Sequence, residues 1–133
     1  KASTSSILAT AFDKHSQETM DHISRLEQVF DLLGEKASGK KCDAMEGLVS
    51  EAESILSDTD RGTMVRDAGL ILAAQKVEHY EIATYGTLKA FAANMGHTEV
   101  VKLLHETLEN EKATNITLTK IAEGYINQEA SKE

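Results

Sequence analysis

The chain has 133 residues, 41% hydrophobic but only 5% aromatic, with eight glycines and no proline. That length suits one domain with a real core, and a chain without proline meets none of the usual helix breaks. A formal net charge of −8 argues against nucleic acid and anionic membrane surfaces as partners, since phosphate contacts need clustered Lys and Arg.

A first helix is predicted from about residue 4 to 33, with Ser3, Thr4 and Ser5 as candidate N-caps and Gly34 as its stop. Its stripe Leu8, Phe12, His15, Thr19, His22, Leu26, Val29, Leu33 alternates spacings of four and three. After the polar stretch GEKASGKK, a shorter amphipathic helix covers about 43–57, with Met45, Leu48, Val49, Ala52, Ile55 and Leu56 on one side. The SDTD tetrapeptide at 57–60 reads as a cap-and-turn cluster. A third helix is predicted over about 61–94, ending at Gly96. It offers two overlapping seams: Leu70, Ala74, Val77, Glu81, Thr84, Leu88, Phe91, Met95, and Ile71, Ala74, Glu78, Glu81, Tyr85, Leu88, Ala92, Met95. Thr98 then caps a fourth helix to about 126, with the seam Val101, Leu104, Leu108, Glu111, Asn115, Leu118, Ala122, Tyr125. The expected fold is all-α: one domain over 1–133, an antiparallel helix bundle of three long helices and one short one.

The seams carry charge. Glu81 lies fifteen residues before Gly96 and Glu111 fifteen after it. At about 1.5 Å per residue, both stand roughly 22 Å from the turn and should face each other. Burying an ionised carboxylate costs several kcal/mol unless it is paired. The neighbours one turn away are Glu78, Val77, Thr84 and Tyr85 for Glu81, and Leu108, Thr107, Thr114 and Asn115 for Glu111, none of them basic. A divalent ion held by carboxylates and imidazoles from facing helices would supply the missing charge. The first helix offers Glu18 and His22, four residues apart on one face.

Plainer readings compete with this one. Glu18 has Lys14 one turn away, His15 taken alone reads as a seam packing residue, and Glu78 reads equally as an edge residue. Glu81 and Glu111 would also suit a water-filled polar layer or a shared proton. Tyr80 and Tyr85 read as core or interface aromatics, and Cys42 as an ordinary loop cysteine. Glu106, Glu109, His79, His97 and His105 read as solvated or outer residues.

The segments ETMDHISRLEQVF (18–30), GKKCDAMEGL (39–48), RDAGLILAAQKVEHYEIATYGTLKAFA (66–92) and ETLENEKAT (106–114) resemble the YciE/YciF family of ferritin-like bacterial proteins, often linked to stress responses. The resemblance implies a ferritin-like four-helix bundle, commonly a homodimer or higher homo-oligomer, with a di-iron carboxylate centre. Its candidate metal ligands here are Glu18, His22, Glu78, Glu81 and Glu111, with Glu109 competing on the last helix. Two departures stand out. Family members carry a further long helix upstream with its own carboxylate, and this sequence begins where that helix would be ending, so either that segment is missing here or the fourth wall is expected from another chain. The usual Glu-x-x-His pattern is replaced by Glu18-x-x-x-His22 and by Glu109-x-x-Lys112.

The expectation is therefore an iron- or manganese-binding stress protein, with peroxide consumption or iron handling as its redox role. The runner-up is a dimeric structural bundle with a polar layer. A DNA-protecting mini-ferritin is disfavoured by the acidic charge. Nucleophile elbows, phosphate loops and dinucleotide glycine patterns are not present. No apolar run reaches the roughly 18–20 residues a membrane span needs, no signal peptide is visible, and a single cysteine fits a reducing compartment, so the expected location is cytoplasmic.

Overall fold

The computed structural model describes residues 2–133, which form helices and connecting turns. The elements are α1 (Ser6–Leu33), α2 (Asp43–Asp58), α3 (Met64–Asn94), α4 (Thr98–Ile121), a π-helical turn (Ala122–Ile126) and α5 (Asn127–Ala130). Ser5 caps α1 by accepting from the Leu8 N–H, and Gly34 ends it in the left-handed region at φ 69°. At α3 the cap is Thr63, whose hydroxyl accepts from the Arg66 N–H. The helix thus starts at Met64, a few residues later than the SDTD cluster suggested. Thr98 proves to be the first residue of α4, preceded by His97, which makes no side-chain cap bond. Gly96, at φ 77°, turns the chain between α3 and α4.

α4 packs against both α3 and α1, and α2 packs on α3. Cross-helix bonds fix the directions. Gln75 of α3 donates to Asn115 and Thr119 of α4 across the turn at Gly96, while Arg25 of α1 meets Asn110 and His15 meets Thr114, so α4 runs antiparallel to both partners. The buried positions repeat every seven residues: Leu8, His22 and Val29 on α1; Ile71, Glu78, Tyr85 and Ala92 on α3; Leu104, Glu111 and Leu118 on α4. Two apolar clusters result. One contains Val29, Tyr85, Ala92, Val100, Leu104 and Leu108. The other contains Leu8, Ile71, Leu118, Ala122 and Ile126. Each fully buried leucine or isoleucine contributes about 1.5–3 kcal/mol. On α1, α3 and α4, the polar seam residues fall between these clusters.

Of the two seams expected on α3, the one through Ile71, Glu78, Tyr85 and Ala92 supplies the buried positions. Phe91 of the other is 59% exposed, and Leu88 and Met95, which the two seams share, are open as well, Met95 at 64%. Within α1, Thr19 and Leu33 of the expected stripe are exposed, and on α2 so are Val49 and Leu56. Helix α2 packs chiefly on α3, so its apolar stripe is half covered. At the end of α4 the seam changes register. The Asn127 N–H bonds the Ala122 carbonyl five residues back, and this extra residue puts Ile126 in the core while Tyr125, the expected seam residue, faces outward. No helix among the described residues is long and apolar enough to cross a membrane.

The packing of α2 on α3 depends on Gly69, where an added Cβ would lie 2.7 Å from Ile55 Cγ2. Gly69→Ala is expected to lose about 1 kcal/mol in urea unfolding, because overpacking (~1–3 kcal/mol) exceeds the gain in helix propensity (~1 kcal/mol). In an Ile55→Ala background the same change should instead stabilise, which a double-mutant cycle reads directly.

Candidate metal centre

Three helices deliver polar side chains to the layer between the two apolar clusters. Glu78 from α3 is 2% exposed and Glu111 from α4 is 0% exposed. From α1, His15 presents Nε2 3.1 Å from Glu78 Oε1 and 3.7 Å from Glu111 Oε2. One heptad on, the buried His22 places Nδ1 3.0 Å from Glu111 Oε1. Glu81, half-buried, completes the group: one ligand atom each from His15, Glu78, Glu81 and Glu111 lie within 4.8 Å of one another. The expected face-to-face placement of Glu81 and Glu111 is what the structure shows, and Glu78 lies inside the bundle rather than at its edge.

The remaining sequence candidates lie around this group. Glu18 stands behind His15, its Oε2 3.5 Å from His15 Nδ1 and its other oxygen 3.3 Å from Lys14 Nζ. Glu109 faces solvent and pairs with Lys112 at 2.9 Å, so on α4 it is Glu111 that enters the layer. His79, His97, His105 and Glu106 are exposed. Sequence reasoning undervalued His15. Its signal was present, since it stands on the α1 stripe one heptad before His22, but a lone seam histidine is indistinguishable from a packing residue until Glu78 and Glu111 are placed beside it.

Electrostatics of the layer are strained. The hydrogen bond to Glu78, aided by the Glu78 and Glu111 charges, raises the His15 pKa to about 9 against burial. Burial, then the charge of Glu111, raises that of Glu81, with the two histidines acting the other way. Burial likewise raises Glu111, with His22 opposing and Glu78 reinforcing. Tyr85 is pushed up to about 12 by burial and by these carboxylates, so its hydroxyl keeps its proton at neutral pH.

Buried polar atoms are left over. His22 Nε2, Glu78 Oε2 and both oxygens of Glu111 are buried without a hydrogen bond, the two Glu111 oxygens lying 3.0 Å from His22 Nδ1 and 3.7 Å from His15 Nε2. Each such group costs about 1–3 kcal/mol, more where charged. Ligand bonds of about 2.1 Å put opposite donors about 4.2 Å apart, so small side-chain movements would close the four-residue group around one ion. Three carboxylates and an imidazole form an oxygen-rich set suited to iron(II) or manganese(II). The residues present fit a divalent metal.

The fold and site together define an all-α bundle with a buried carboxylate–imidazole layer. Across residues 1–131 the chain matches the model of the domain of unknown function DUF892, and it belongs to that family. It is 46% identical to protein YciF of Escherichia coli K12 over 134 residues, spanning 100% of this chain and 80% of YciF. The crystal structure of the E. coli stress protein YciF superimposes with a TM-score of 0.88 at 48% identity, covering 95% of this chain and 79% of that one. YcfI of Rhodopseudomonas palustris superimposes with a TM-score of 0.83 at 43% identity, covering 86% of this chain and 73% of that one.

Proposed function

We propose that this chain is a cytoplasmic stress-response protein that holds iron or manganese in its buried layer, with redox or iron-handling chemistry as its role. The observation that carries the reading is the set of buried carboxylate oxygens without hydrogen-bond partners on Glu78 and Glu111, in a group with His15 and Glu81 whose ligand atoms lie within 4.8 Å of one another, where a cation would satisfy them. His15, Glu78, Glu81 and Glu111 are the ligands of one ion, and His22, against Glu111, is the donor nearest a second, as a di-iron centre requires. When bound, such an ion supplies one-electron chemistry and open coordination positions. The chain's own residues bring negative charge, a neutral imidazole once His15 gives up its proton, and apolar clusters above and below that exclude water.

Titrating metal-free protein with manganese(II), and following the free-ion EPR signal, is the test. Saturable uptake that iron(II) displaces and Glu111→Gln abolishes supports the reading. The competing reading, a structural polar layer, is favoured by the His15–Glu78 and His22–Glu111 pairs, which partly balance the layer unaided. Under it, manganese is not taken up, and Glu111→Leu leaves stability unchanged or higher. Self-association is part of the proposal, supported by the apolar Leu88, Phe91 and Met95 that α3 leaves exposed. Sedimentation velocity should show a dimer or larger, and a monomer mass at micromolar concentration would remove this part.

A further inference from the structure

Most threonine hydroxyls within these helices turn back on their own backbone. Thr10, Thr19, Thr84, Thr117 and Thr119 each donate to the carbonyl four residues earlier. Thr114, half-buried and one turn beyond Glu111, instead places Oγ1 3.0 Å from His15 Nδ1. On the same side of the ring, Glu18 Oε2 lies 3.5 Å from Nδ1, its other oxygen tied to Lys14. A narrow cleft bounded by Phe12, Lys14, Glu18, Thr114 and Thr117 opens behind them to solvent.

From this geometry we infer that Thr114 and Glu18 are positioning residues: they hold the Nδ1–H of His15 and so fix Nε2 as the atom presented to a divalent metal among Glu78, Glu81 and Glu111. The inference rests on the metal reading and assigns Glu18 to the outer shell, where it orients an imidazole instead of binding the ion. A hydrogen bond to the far nitrogen of a ligating histidine fixes its tautomer and ring orientation, and losing it typically weakens metal binding 10–100-fold. Thr114 is the stronger partner, being nearer. Glu18 adds negative charge that favours the proton remaining on Nδ1.

The experiment uses zinc(II) as a diamagnetic probe on the whole chain, with calorimetry for affinity and ¹⁵N-histidine NMR for the ring. Thr114→Val, close in shape, should bind zinc about tenfold or more weakly and lose the hydrogen-bonded Nδ1–H signal of His15. Thr114→Ser should restore both. Glu18→Gln should weaken binding less than Glu111→Gln does. Wild-type affinity and an unchanged His15 signal in Thr114→Val overturn the inference while leaving the metal reading intact. A Glu18→Gln loss equal to that of Glu111→Gln makes Glu18 a ligand and overturns its assignment. Wild-type protein that binds no zinc, iron(II) or manganese(II) overturns the metal reading and this inference with it.

Discussion

Metal-free protein is expected to lose thermal stability steadily between about pH 6.5 and pH 9, and saturating manganese(II) is expected to remove most of that slope. His15 has an ordinary value of 6.5 that the folded layer raises to about 9. The folded chain therefore binds this proton more tightly than the unfolded chain does. The resulting stability is fully present below pH 6.5 and is lost as pH rises through 9. Glu81 and Glu111, both raised by burial, act in the same direction, losing stability as pH climbs through their folded values. A bound cation replaces the proton as partner of Glu78 and Glu111, so the metal-loaded chain has less to lose. Binding at pH 7.5 should release about one proton per ion, measurable by calorimetry in buffers of different ionisation enthalpy. At an ion concentration 100-fold above Kd the stabilisation is about 2.7 kcal/mol. Metal-free melting temperatures that stay flat or rise from pH 6.5 to 9 would contradict this picture of the layer.

Asp67→Ala should be among the most destabilising single substitutions in the chain, at about 3 kcal/mol. Asp67 stands in the first turn of α3 and is 0% exposed. Its two oxygens accept from the Thr4 and Ser5 backbone N–H groups at 2.7 Å each, closing the start of α1 from another helix. Truncation removes a cap (about 0.5–2 kcal/mol) and strands donors in a largely dry site (about 1–3 kcal/mol each). Asp67→Asn keeps one acceptor and should lose roughly half as much. The same end of the bundle is tied by Arg66, which donates to the Leu56 and Thr59 carbonyls at the close of α2, and by Glu133, whose carboxylate accepts from the Met64 and Val65 N–H groups at 3.0 Å. Urea unfolding of the two Asp67 variants beside wild type measures the difference. Variants within 0.5 kcal/mol of wild type would mean that water can replace the carboxylate there.

Much of this was legible in the chain because helical period and turn position are local properties. Equal distances of Glu81 and Glu111 from Gly96 placed them at one height, and the stripe on α1 located His22. What stayed hidden depended on neighbours. Helix α3 is apolar around most of its girth, so its period alone could not choose between the seam through Glu78 and the seam through Val77 and Phe91. That choice also decides whether Glu78 is a core carboxylate or an edge residue. The cap that Asp67 provides spans 62 residues to Ser5, beyond the reach of any local capping pattern. The π-helical turn exchanges Tyr125 for Ile126 through one extra residue, and the sequence around Gly124 carries no signature of it.

Carboxylates from two helices and an imidazole from a third converge on one point, where Glu78 and Glu111 leave buried oxygens for a cation, and that is the account's central claim. Its most direct test is the amount of iron and manganese per chain, by elemental analysis, in protein isolated without added metal or chelator and then reconstituted with iron(II). The Glu81→Gln, Glu111→Gln double variant is carried alongside. The account predicts about one ion or more per wild-type chain and near zero in the double variant, with helical content unchanged. Equal metal in both proteins, or none in wild type after reconstitution, would contradict it.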